Sequence, residues 1–186
     1  LQLQLIEYLI KEKAVRPNRL LRVQFDDIPS LRGVKDPVLS IARWFENRVL
    51  GMSFNEAARK GEEAYLLLDE VQNLADWAPQ LKALVDHNTV KVLITGSSAL
   101  RIEAGRDSLA GRITQVELGT LLLREIAGLR FGTQVEPHLP VNGLEPLLRQ
   151  EFWRELQKHG ISNREARDQA FKAFSERGGY PMAQAR

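Results

Sequence analysis

The chain has 186 residues, 44% of them hydrophobic, and a formal net charge of +2. That supports one domain plus a small appendage, and the charge is too nearly balanced to argue for nucleic acid. The absence of cysteine excludes disulfides and thiolate metal sites and suits a reducing cytoplasm, and no apolar run approaches membrane-spanning length.

The first residues, Leu1 to Lys13, begin inside an amphipathic pattern in which Leu5/Leu9 and Ile6/Ile10 stack at helical spacing. Arg19 to Asp27 then reads as a strand closed by Pro29, with Asp26 and Asp27 as turn residues. Pro37 opens a helix through Ile41, Trp44, Phe45 and Val49 that ends at Gly51. Residues 52–63 continue through Ala57 and Ala58 and lead into Tyr65-Leu66-Leu67-Leu68-Asp69-Glu70. A short, wholly apolar run fits a strand covered on both faces, as in a parallel sheet flanked by helices. Its two acids then stand at the carboxyl rim, where α/β proteins bind ligands. An ordinary buried strand with solvated terminal acids has the same local pattern.

Asp76 to His87 is a predicted helix, with Pro79 in its first turn and Trp77, Leu81, Leu84 and Val85 at helical spacing. Val90 to Ile94 is a second β-branched strand, followed by Thr95-Gly96-Ser97-Ser98. Strand, helix, strand implies a right-handed parallel crossover, which carries Ser97 and Ser98 to the same rim as Asp69 and Glu70. Hydroxyls there suit a water or a phosphate oxygen; a Gly-Ser turn closing a strand is the plainer reading. Ile113 to Leu118 alternates apolar and polar residues and reads as a strand, and Leu121 to Leu129 as a short helix.

The Pro- and Gly-bearing stretch 130–146 is the expected domain boundary, dividing residues 1–136 from 137–186. Beyond it, Leu147, Leu148, Phe152 and Leu156 mark one helix, ending at Gly160. Ser162-Asn163-Arg164-Glu165 offers an N-terminal capping signature for the next, with Ala166, Ala170, Phe171 and Phe174 inward. His87, His138 and His159 lie far apart in sequence and show no zinc-ligand spacing.

Leu66 to Gln72, Trp77, Leu93 to Ser98, Leu109-Ala110-Gly111-Arg112 and Arg177-Gly178-Gly179-Tyr180-Pro181 occur in one order along the chain. In that order the chain resembles bacterial and archaeal AAA+ P-loop ATPases, in the branch that usually carries a C-terminal nuclease-like domain. The resemblance implies a parallel α/β core with a small C-terminal helical lid, ATP and Mg2+ as cofactors, and a cytoplasmic homo-oligomer. It also implies roles: Asp69 as the metal-coordinating acid and Glu70 as the catalytic base of the Walker B pair, and Ser97, or less directly Ser98, as the sensor-1 hydroxyl. Arg112 falls where such ATPases place an arginine finger reaching a neighbouring subunit, with Arg106 in reserve. A surface arginine ahead of a strand is the plain alternative for Arg112. Nucleic acid as a partner rests on the resemblance alone.

No Gly-x-x-x-x-Gly-Lys-[Ser/Thr] occurs in these residues, so the phosphate-cradling loop has no counterpart within them. In the resembling family a helix like Leu1 to Lys13 directly follows that loop, so the expectation is that it lies upstream of Leu1. A family member that has lost the loop is the competing account. The function expected is therefore Mg-ATP binding and γ-phosphate hydrolysis, and the alternative is a non-catalytic α/β interaction module.

Overall fold

A computed structural model of the chain describes residues 1–96, 109–139 and 145–185. They form two compact units, Leu1–Gln115 and Val116–Arg186.

The first unit is built on a three-stranded parallel sheet in the order β1-β2-β3. β1 is Leu20–Gln24, β2 is Tyr65–Asp69 and β3 is Lys91–Ile94. Gln24 stands opposite Asp69, and Leu68 opposite Ile94, so the three strands end level with one another. Leu66, Leu67 and Leu68 are each only 1% exposed. Successive strand residues face opposite ways, so both faces of β2 are covered, as the unbroken apolar run predicts. Burying each of these leucines stabilises the unit by about 1.5–3 kcal/mol.

Four helices of this unit are α1 (Gln2–Lys11), α2 (Pro37–Phe45), α3 (Phe54–Arg59) and α4 (Trp77–His87). Pro37 occupies the first turn of α2, and Val38, Ala42 and Phe45 form its buried stripe. The chain continues through a π-helical turn, Glu46–Leu50, and stops at Gly51, whose φ of 68° is left-handed. Ser53 caps α3 by accepting the Glu56 N–H at 3.2 Å. The Asn55 side chain fastens α3 to the turn after α4: its amide donates to the His87 carbonyl, and its oxygen accepts the Thr89 N–H. Strand β2, helix α4 and parallel strand β3 make the expected crossover.

The strand expected over Ile113 to Leu118 does not form. Val116 and Leu118 are 77% and 68% exposed, and no sheet edge pairs with them. Period-two alternation suits a pleated strand, but without a ladder partner its backbone groups gain nothing over water.

The second unit contains α5 (Leu123–Phe131), α6 (Gln150–Ser162), α7 (Arg164–Arg177) and the short α8 (Pro181–Gln184). Its core is Ile126 and Ala127 of α5 against Ala170 and Ala173 of α7. The expected division at 136/137 falls inside this unit, because α5 packs on α7 across the 130–146 stretch.

Phe171 and Phe174, expected inward, are 58% and 37% exposed. The buried face is set instead by small residues, which permit close approach of two helices. Helix α6 runs past Gly160 to Ser162, and the expected capping signature is not used. Ser162 and Asn163 donate back to the Lys158 and His159 carbonyls, each at 3.0 Å, and so finish α6 instead of capping α7. No helix of the described residues is long and apolar enough to cross a membrane.

Candidate functional site at the carboxyl edge of the sheet

Because the three strands end level, their last side chains meet at one edge. Asp69 closes β2. Its Oδ2 accepts from Arg22 Nη2 at 2.8 Å, and its Oδ1 accepts from the Thr95 hydroxyl just beyond β3. Thr95 Oγ1 in turn accepts from Gln2 Nε2 at 3.0 Å, and Gln2 Oε1 accepts from Arg22 Nε at 3.0 Å. The four side chains therefore close a hydrogen-bonded ring joining α1 and all three strands. Gln24, at the end of β1, accepts a further bond from Arg22 Nη2 at 2.7 Å.

Gln2 is only 5% exposed with both ends of its amide satisfied, as a buried amide must be. Arg22 and Asp69 keep 30% and 22% of their side-chain surface in contact with solvent. The Phe25 N–H bonds the Asp69 carbonyl at 3.1 Å, and the Thr95 N–H bonds the Leu68 carbonyl at 3.0 Å. Asp69 and Thr95 are thus held by main chain as well as by side chain.

Glu70 leaves the strand with φ 56° and ψ 40°, in the left-handed region that non-glycine residues seldom adopt. This turns the chain sharply into the Val71–Asn73 turn. Gln72 donates through Nε2 to Glu70 Oε2.

Asp69 and Glu70 are hard oxygen donors side by side, with carboxylate lone pairs beyond those the ring uses, and so fit a Mg2+ shell. Among the described residues no group of three or more His, Cys, Asp or Glu could hold a metal. A cation at this edge would therefore complete its shell with water and phosphate oxygens, which is how Mg2+ commonly binds.

Arg112 is elsewhere. Its Nε donates to Asp86 Oδ1 at 2.5 Å and its Nη1 to the Ala110 carbonyl. That bond holds the Asp86 carboxyl below the usual carboxylate range and raises the Arg112 guanidinium further. Asp86 lies in the last turn of α4, which runs back from the carboxyl edge before β3 begins. The pair therefore stands toward the amino edge of the sheet, away from Asp69. Ser97, Ser98 and Arg106 lie outside the described residues.

His138 and His159, distant in sequence, come together in the second unit, with ring centroids 5.4 Å apart and Phe152 beside them. Ring packing accounts for that cluster. Sequence reasoning missed Gln2, Arg22 and Thr95. Only Thr95 had an advance signal, its position, since level strand ends place residues 24, 69 and 95 in one row.

An AAA domain family model matches residues 3–127, which takes in α1 from Leu3 onward, the whole sheet and Asp69 and Glu70. The chain belongs to the AAA domain family. It is therefore an ATPase-like module of nucleotide-binding type, built on a parallel α/β sheet. An uncharacterized protein of Methanocaldococcus jannaschii is 30% identical over 122 residues, covering 66% of this chain and 24% of that protein. The chain thus spans about a quarter of that relative's length. No solved structure matches.

Proposed function

We propose that this chain forms the sheet-bearing core of an ATPase that binds Mg-ATP and hydrolyses its γ-phosphate. The observation that carries the reading is the pair of adjacent carboxylates at the carboxyl end of the central parallel strand, within the matched AAA region. Bound with the triphosphate, Mg2+ would supply charge neutralisation on the phosphate oxygens.

Asp69 would hold that ion and its water shell with a carboxylate whose other oxygen the Thr95 hydroxyl keeps in place. Glu70 takes the proton of the attacking water, and its left-handed backbone carries its carboxylate out of the strand ladder. Ser97, with Ser98 second, orients that water or a γ-phosphate oxygen. Arg112, turned away from its own Asp69, acts on the triphosphate of a neighbouring copy and steadies the charge on the transferred phosphoryl. That role implies a homo-oligomer and release from Asp86. The second unit, Val116–Arg186, would belong to the helical lid of this ATPase, and the protein would work in the cytoplasm.

Glu70→Gln tests the assignment, because it removes the base while keeping size and hydrogen bonding. In the protein carrying this chain, ATP turnover should fall at least a hundredfold with ATP affinity within about threefold of wild type. Equal hydrolysis by the variant overturns the base assignment. Absence of ATP binding by both proteins favours a non-catalytic interaction module, a reading with which the internally satisfied Asp69 is also compatible.

A further inference from the structure

Arg22 is unusual among the charged residues of the carboxyl edge. Its guanidinium reaches three acceptors on three elements: Asp69 Oδ2 at 2.8 Å on β2, Gln24 Oε1 at 2.7 Å on its own strand, and Gln2 Oε1 at 3.0 Å on α1. Asp69 and Glu70 are adjacent like charges, and Arg22 offsets one of them. A divalent cation drawn to Asp69 meets this positive charge first. Thr95 holds the other carboxylate oxygen, so Oδ2 is the one that must give.

Arg22 is also able to leave. Its side chain keeps 30% of its surface in solvent, and Gln24 remains as an acceptor after Asp69 is surrendered. Gln2 cannot follow it outward, since it is 5% exposed and would lose the partner of its carbonyl oxygen.

We propose that Arg22 is the internal counter-ion that Asp69 exchanges for a divalent cation, and that this exchange loosens the first turn of α1. The inference rests on Asp69 being a cation site, as the proposed function requires. Arg22 is a positioning residue in it: it touches Asp69 and not the reacting phosphate. The ring connects Asp69 to Gln2 at the start of α1 by two routes, through Arg22 and through Thr95, and the exchange breaks the first.

The test titrates Mn2+ alone into the protein carrying this chain, reading the free-ion electron paramagnetic resonance signal, for wild type, Arg22→Gln, Arg22→Lys and Asp69→Asn. Removing a unit positive charge about 5 Å from a dication should tighten binding by about tenfold at water-like screening. Arg22→Gln should therefore bind Mn2+ about tenfold more tightly than wild type, Arg22→Lys should stay near wild type, and Asp69→Asn should lose the site. Loss in Asp69→Asn with no gain in Arg22→Gln overturns the exchange and leaves the proposed function standing. Unchanged binding in Asp69→Asn overturns both.

Amide exchange of the wild-type protein, read by mass spectrometry with and without Mg2+, avoids any folding defect in the variants. Saturating Mg2+ should speed exchange in residues 5–8 severalfold. Unchanged or slower exchange there refutes the coupling to α1.

Discussion

Replacing Thr95 with valine removes one hydroxyl from the ring while keeping its shape, and its cost can be worked out from the partners left behind. Gln2 Nε2, on a side chain 5% exposed, loses its acceptor and has no route to water. An unsatisfied buried amide costs about 1–3 kcal/mol. Asp69 Oδ1 loses a donor as well, but that side chain is 22% exposed and water can substitute, so its share is small. The sum is about 2 kcal/mol, or a fall in Tm of roughly 4–8 °C for a chain of this length. Thr95→Ser is the control: it keeps the hydroxyl and gives up one methyl group, for about 1 kcal/mol or less. Urea unfolding of the three proteins, with m-values compared, gives the answer. If Thr95→Val proves no less stable than Thr95→Ser, the ring does not hold the carboxyl edge together.

Other outcomes follow from the same geometry. A methyl group at Gly179 would lie 2.7 Å from Thr120 Cβ and 3.1 Å from a Phe174 ring carbon, where the Gly179 carbonyl also accepts the Leu121 N–H. Gly179→Ala should destabilise the second unit by about 1–3 kcal/mol, and a thermal melt indistinguishable from wild type would disprove the close approach. The Asp86 carboxyl is depressed by Arg112, so the pair's stabilisation is present above the ordinary aspartate range and lost as pH falls through the lowered value. In Arg112→Ala the Asp86 titration, followed by carboxyl carbon NMR, should return upward toward the ordinary range; an unmoved midpoint contradicts the pairing.

The sheet was legible because its signals are local. Leu66-Leu67-Leu68 can be dry on both faces only in a central strand, and the period of Trp77, Leu81 and Leu84 fixes the intervening helix. The ring was not legible in that way. Its bonds join residues 93, 20, 47 and 26 positions apart, and nothing near Gln2 or Arg22 in sequence announces a partner. Parallel register supplied the missing fact, by bringing Gln24, Asp69 and the residue after Ile94 to one level.

Two misreadings share a cause. The alternation of Ile113 to Leu118 and the large apolar residues Phe171 and Phe174 both signal burial in the sequence. The first pairs with neither edge strand of the sheet, and the second pair lost its place on the inner face to Ala170 and Ala173, which let α5 come close. Side-chain hydrophobicity says what can be buried; the spacing between elements decides what is.

The most direct measurement is calorimetric titration of Mg-ATP into the protein carrying this chain, wild type and Asp69→Asn side by side. The account predicts saturable binding by wild type and an affinity at least about tenfold weaker in the variant, the loss of one charge at the metal shell. Equal affinities would place the triphosphate somewhere other than the carboxyl edge of β2.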